Sequence, residues 1–316
     1  MGDPPMTSLP RVRLYIRSDF EADLLAVRDG IQLCLFMPQA HNALKPRIQR
    51  ALDLYRKAIG KDALGFYGDL DGQWQTLDTE SWQHIHHRLH DGDVSHLQLL
   101  GAPTSDAPTE SHRYKFHYVG YALDRPPEDL YWPDAVSALR LTFPTEFLEA
   151  QGPERFRALA IEIAGVLPFG SGHAGLSFNG EPLASVVRDE VKALSFRHPA
   201  MDVLEFDDVA RDLGTRVRAP AWMNFLGPPV LHELGGVEGL RSRLHAPDTT
   251  VQALGPDRAV VTLGPWPEAG DTEQGQTLPA YRELARVLEP WLYQEARSED
   301  SDFFTMTRRW QRRFLD

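Results

Sequence analysis

Twice along this chain a short apolar run ends in proline, gives way to an amphipathic helix, and returns as an apolar strand edged by glycine. The first copy opens with Leu33 to Met37 and Pro38, runs through a helical stretch from about His41 to Ile59, and returns in LGFYGD. The second opens with Leu139 to Phe143 and Pro144, enters a helix near Pro153, and returns in AGLSFNG, from Ala174 to Gly180. Spacing assigns the helices. Leu44, Ile48, Ala51, Leu52 and Tyr55 share one face of the first, with Lys45, Arg47, Arg50, Arg56 and Lys57 largely on the other. Phe156, Leu159, Ala160 and Ile163 recur at helical spacing in the second, whose first turn suits Pro153 and Glu154. The pattern specifies an α+β fold: two β-α-β-containing lobes with mixed or antiparallel sheets flanked by helices.

The expected division is an N-terminal α/β lobe over 1–125 and a C-terminal α/β lobe over 135–316, packed as one compact unit. The proline-bearing DRPPEDLYWPD, Asp124 to Asp134, is the candidate connector, since its prolines disfavour helix and central strand. The first lobe adds a His-rich helix (Ser81 to His90), strands His96 to Leu100 and Tyr114 to Ala122, and a polar loop from Ala102 to Ser111. The second adds helices near Pro182 to Ala193 and Asp207 to Leu213, a strand Trp222 to Leu226, a hairpin from Thr249 to Leu263, and a helix Pro279 to Leu288.

With 316 residues, 42% hydrophobic and 25% charged, the chain can bury a large core and is not a disordered composition. Its net charge of −12 repels free nucleic acid and anionic lipid and draws in cationic partners. The stretch Phe303 to Asp316 departs from that balance, carrying Arg308, Arg309, Arg312 and Arg313 against Asp316. It reads as a helix whose Trp310 and Phe314 pack inward while the arginines stay in water. Cys34, the single cysteine, excludes an internal disulfide and a cysteine metal cluster, and within Leu33-Cys34-Leu35-Phe36 it reads as a small buried hydrophobe. MGDPPMTSLPR lacks the basic start and apolar core of a signal peptide, and no apolar run is long enough to span a bilayer. A cytoplasmic protein without membrane contact is expected.

Four motifs suggest chemistry, and each has a plainer reading. GSGHAG, Gly170 to Gly175, fits G-x-G-x-x-G but leaves a helix and enters a strand, the reverse of a dinucleotide site; a tight turn using glycine at positive φ is favoured. Ser171 and His173 lack the nucleophile elbow, because Phe169 stands where glycine is needed. His84, His86, His87 and His90 form pairs at i, i+3 and i, i+4 that could chelate, yet an amphipathic helix with Trp82, Ile85 and Leu89 inward explains them better. HELGG begins like a zincin, but Gly236 replaces the second histidine, leaving a helix end capped by Gly235 or Gly236. No catalytic residue, metal ligand or cofactor is assigned.

Three acidic stretches are candidate contact surfaces. GPWPEAGD offers Trp266, Glu268 and Asp271, with Glu273 just beyond; a rigid turn covering the core edge and a partner-contact loop fit equally. GDLDGQW offers Asp69, Asp71 and Trp74, where hairpin-turn chemistry around Asp71-Gly72 is the favoured explanation. Glu299, Asp300 and Asp302 read as a solvated linker.

The phrases FPTEFLEAQGPERFRALA, LPFGSGHAGLSF, WMNFLGPPVLHELGG, TLGPWPEAGD and LPAYRELARVLEPWLY, between Phe143 and Tyr293, are together similar to those of the type VI secretion immunity family. Members of that family neutralise nuclease effectors carrying a VRR-NUC or similar domain. The resemblance implies an inhibitor of a cognate nuclease effector, with no catalytic residues to carry over and no direct nucleic-acid binding. It also implies that the shared phrases mark scaffold, leaving partner specificity to the less distinctive first lobe. Two other readings stay open: a hydrolase centred on His173 with an unidentified acidic partner, and an adaptor or chaperone that loads an effector. Oligomeric state is left open.

Overall fold

The computed structural model describes residues 9–17, 23–102, 113–125, 132–181, 184–203, 205–295 and 302–316. Most of the expected 102–111 loop, the middle of the 124–134 connector, and the acidic Glu299 and Asp300 lie outside them, as does the Asp302 side chain. Among the described residues no helix is long and apolar enough to cross a membrane.

The strands are β1 (Arg13–Ile16), β2 (Leu24–Met37), β3 (Leu64–Gly68), β4 (Trp74–Thr76), β5 (Ser95–Gly101), β6 (Lys115–Gly120), β7 (Ser137–Pro144), β8 (Ser171–Gly180), β9 (Met223–Leu226), β10 (Thr249–Ala253) and β11 (Ala259–Leu263). They form one antiparallel sheet in the order β10-β11-β9-β8-β2-β7-β6-β5-β3-β4. β1 takes the place beside β2 where β7 ends, pairing Arg13 with Arg28 while β7 stops at Pro144 opposite Gly30. Strands from 1–125 and from 135–316 are thus hydrogen-bonded neighbours in a single α+β sheet.

The helices are α1 (His41–Ile59), α2 (Thr79–His90), α3 (Thr145–Gln151), α4 (Pro153–Val166), α5 (Arg188–Arg197), α6 (Phe206–Asp212), α7 (Val230–Glu233), α8 (Gly236–Arg241), α9 (Pro279–Leu288) and α10 (Asp302–Gln311). The second strand–helix–strand unit is split. β7 and β8 flank β2, which is antiparallel to both, so the chain crosses over through α3 and α4 with a strand inserted between its ends. α5 starts later than the expected Pro182, placing Asp189 and Glu190 in its first turn, where the helix dipole favours them.

Alternation divides the sheet into two faces. Ile31, Leu33, Leu35 and Met37 of β2, with Leu139, Leu141, Phe116, Tyr118 and Phe225, pack under α1, α2 and α4. Their partners include Tyr55, Phe156, Ile163, Ile85 and Leu89, all fully or nearly fully buried. Tyr55 lies edge-on to Phe143 and donates its hydroxyl to the Thr142 carbonyl at 2.7 Å. On the other face Cys34, Phe36 and Ala138 meet Phe206, Val209 and Ala210 of α6. A further core joins β9 and β11 to α7, α8 and α9.

GSGHAG differs from its expected geometry. None of its glycines has positive φ, and from Ser171 onward it is part of β8. The glycines serve close approach instead: a Cβ on Gly172 would lie 2.6 Å from the Cys34 carbonyl oxygen across the β2 ladder. No loop exists there to cradle a phosphate.

Candidate functional site

The even-numbered residues of β2 project away from the main core, and register extends this choice across the sheet. Gln98 lies opposite His117, His117 opposite Arg140, Arg140 opposite Cys34, Cys34 opposite His173, and His173 opposite Asn224. Five strands therefore contribute a buried polar row, His117 through Asn224, to one face, broken only by Cys34. Burial drives the Cys34 thiol far above its usual range, so it is inert as a nucleophile.

Two carboxylates close over this row, Asp202 ahead of α6 and Asp207 in its first turn. Asp202 accepts hydrogen bonds from Gln32 Nε2 (2.8 Å) and Arg218 Nη2 (3.1 Å), and lies 3.0 Å from His173 Nε2. Burial alone would raise its carboxyl; the Arg218 charge and the His173 hydrogen bond outweigh that and hold it below the usual carboxylate range. Five residues on, Asp207 Oδ1 lies 3.3 Å from His117 Nε2 and 3.6 Å from His96 Nε2, while the two Nε2 atoms are 3.0 Å apart. Burial pulls His117 down to about 4 and keeps it neutral. Burial opposes ionisation of Asp207 as well, but hydrogen bonds from His117 and His96 hold its carboxyl low.

His173 thus has the acidic partner that the sequence did not identify, and sits in a closed site. Ser171 Oγ is turned away and donates to the Arg216 carbonyl at 3.1 Å. His173, Asp202 and Arg218 are all buried, an arrangement suited to clamping the 198–218 segment onto β8.

The contact candidates fall into two separate groups. Asp69, Asp71 and Trp74 occupy the β3–β4 hairpin, with Gly72 at φ +77° in its turn. Asp69 Oδ1 accepts from the Asp71 and Gln73 amides at 3.0 and 2.8 Å, and Oδ2 from Gln75 Nε2 at 2.8 Å. Those bonds, the Gln75 one foremost, lower its carboxyl. Asp71 is exposed, Trp74 is 44% exposed, and Leu70 between the aspartates is 86% exposed. Leu70 has no signature in the sequence, because an isolated leucine in a turn belongs to no periodic pattern.

The other group follows β11, separated from β3 in the sheet order by six strands. Trp266 is half-buried and packs against the main core. Glu268 is exposed. Asp271 is buried, caps the short turn 272–274 through the Glu273 amide (3.0 Å), and pairs with Arg197 Nη2 at 2.9 Å. Glu273 pairs with the same guanidinium at 2.8 Å. Arg197 therefore offsets much of the charge this loop was expected to display. An open groove beside it is lined by Arg11, Arg197, Glu268 and Asp271.

The remaining motifs resolve plainly. On α2, Ile85 and Leu89 are buried and Trp82 packs beneath the Arg56 guanidinium, 3.7 Å from its ring centroid. The His86 ring lies tilted against that of His90, His84 lies by Tyr67, and His87 pairs with Asp91, so the four histidines do not converge. In HELGG, His232 is exposed, Glu233 accepts from Trp291 Nε1 at 2.5 Å, and Gly235 and Gly236 take positive φ. In the C-terminal stretch Trp310 and Phe314 are buried as expected. Arg313 is only partly in water: it stacks over the Trp310 ring at 3.6 Å and donates to the Pro199 carbonyl, because its position turns it toward the 199–202 segment.

A family model described as TsiV, type VI immunity for VRR-NUC, matches residues 47–314. The chain belongs to that family. As a TsiV-family protein it is an immunity protein of the type VI secretion system. Its fold is similar to that of a Pseudomonas aeruginosa T6SS protein, PA0821, with a TM-score of 0.75 at 20% identity, over 92% of this chain and 85% of that one. No curated protein matches the chain.

Proposed function

We propose that this TsiV-family protein is a stoichiometric, non-enzymatic inhibitor that acts in the cytoplasm of the producing cell. Its partner is a cognate nuclease effector of the VRR-NUC type, and the contact runs through the β3–β4 hairpin. The observation that carries the contact is the pairing of Leu70 and Trp74, both exposed, with the acidic Asp69 and Asp71 on a two-stranded edge. A nuclease cleft gathers phosphates with Lys, Arg and often a metal. Carboxylates presented to it compete with DNA and speed encounter in a chain of net charge −12, while exposed apolar side chains supply the anchor that slow dissociation requires.

Trp266, Glu268, Asp271 and Glu273 form the secondary contact in this proposal. Trp266 and Asp271 hold the loop in shape, and Glu268 and Glu273 present its exposed charge. Binding of the purified cognate effector to wild type and to a Leu70→Ala/Trp74→Ala variant tests the assignment. At least about a 30-fold loss of affinity with an unchanged fold is expected, on the scale of one interface hot spot. Unchanged affinity would move the contact away from the hairpin, and tight binding that leaves DNA cleavage intact would make the protein an adaptor.

A further inference from the structure

We infer that His96, His117 and Asp207 form a site for a divalent transition-metal ion of the zinc class, with at least one coordination position open to solvent. The three side chains come from three elements, β5, β6 and α6. β5–β6 register sets Gln98 against His117, so His96, two residues along β5, projects on the same side of the sheet. Phe206 then places the carboxylate: its ring packs 4.6 Å from the His117 ring and seats the first turn of α6, where Asp207 is the next residue.

The spacing fits a bound ion. The three donor atoms are separated by 3.0, 3.3 and 3.6 Å. A metal about 2.1 Å from each donor requires donor–donor edges of about 3.0 Å in an octahedral face and about 3.4 Å in a tetrahedron. The observed edges bracket those values.

Proton bookkeeping points the same way. Both imidazole Nε2 atoms and a carboxylate oxygen face one another. The carboxylate brings no proton, and each neutral imidazole brings one, on either of its nitrogens. If both carried it on Nε2, two hydrogens would collide across 3.0 Å; if only one did, that single N–H would be shared between the facing imidazole lone pair and the Asp207 oxygen. Gln98 Nε2, 3.1 Å from His96 Nε2, relieves part of this. A cation at the centre satisfies all three donors at once.

Access is present too. The His117 side chain is buried, whereas those of His96 and Asp207 are 55% and 38% exposed, so an ion can enter and keep a solvent position. Two imidazoles and one carboxylate suit Zn²⁺, and also Co²⁺ or Ni²⁺. Bound there, the ion would fasten α6 to β5 and β6.

The test uses the full-length protein after chelator treatment, titrated with Zn²⁺ by calorimetry and with Co²⁺ by visible absorption. One Zn²⁺ per chain is expected, with a higher Tm on loading. His96→Ala and Asp207→Asn, both at partly exposed positions, should each weaken Zn²⁺ binding at least about 10- to 100-fold and remove the Co²⁺ band. A His86→Ala/His90→Ala variant of the pair on α2, where His86 is exposed and His90 half-buried, should bind as wild type. No one-to-one binding, binding unchanged in both His96→Ala and Asp207→Asn, or binding lost with the α2 pair would each overturn the site.

Discussion

His173 Nε2 stands 3.0 Å from Asp202 Oδ2, both buried between the sheet and the segment that leads into α6. A His–Asp pair in that geometry could orient a base, but Ser171 bonds elsewhere and the second carboxylate oxygen is committed to Arg218. The pair works as a clamp. Asp202→Ala should therefore destabilise the protein by about 3–5 kcal/mol, because it strands the buried Arg218 without its counter-charge. Denaturant unfolding measures that loss. His173→Ala, provided it is folded by circular dichroism, should still inhibit the effector in full; loss of protection by a folded variant would revive an enzymatic reading.

At the hairpin, charge and apolar surface should separate kinetically. Asp71→Lys is expected to slow association with the effector several-fold and to flatten its salt dependence. Trp74→Ala should mainly speed dissociation, costing about 2 kcal/mol of binding. Neither residue is buried, so unfolding midpoints should stay near wild type. Surface plasmon resonance at two salt concentrations distinguishes the effects.

Trp266 should behave differently. Its ring packs on the main core and Trp222 Nε1 donates to the neighbouring Gly264 carbonyl at 3.0 Å, so the loop is built into the fold. Trp266→Ala is expected to cost about 1–3 kcal/mol of stability, read from chemical denaturation. A variant as stable as wild type would show that the ring is held for contact alone.

Stability should fall as pH drops below neutrality, and His41 is one cause. It is fully buried, with Nδ1 2.8 Å from the Tyr118 hydroxyl. Burial, aided by nearby Lys45, lowers it to about 4 in the folded state. Unfolded, it would titrate near its ordinary 6.5 and take up a proton that the folded state excludes. Its contribution is therefore complete above about pH 6.5 and is lost as pH falls toward 4, with a slope of up to about 1.4 kcal/mol per pH unit. His41→Gln should reduce the slope of stability against pH in that window; an unchanged slope would contradict the assignment.

Much of the scaffold was legible in the sequence because it is written in local periodicity. The α1 stripe from Leu44 to Tyr55 and the Thr249–Leu263 hairpin fall where spacing and turn residues put them. The Asp71-Gly72 turn does too, as does the burial of Cys34. What escaped depends on strand order. Nothing local says that β2 separates β7 from β8, or that His117, Arg140 and His173 line one face, since these juxtapositions arise only once register is fixed. His96 and His117 lie on separate strands with nothing local to link them, while the four histidines of α2 share one helix and do not converge. GSGHAG misled for a related reason: glycines that admit a neighbouring strand look, in sequence, like glycines that make a turn.

The central claim is stoichiometric inhibition, and the most direct measurement titrates this protein into a DNA-cleavage assay of the purified cognate effector. The account predicts a linear fall in cleavage that reaches zero at one inhibitor per nuclease, with a stable one-to-one complex on size-exclusion chromatography. Cleavage that persists at saturating inhibitor, or inhibition that proceeds catalytically at far below one equivalent, would contradict it.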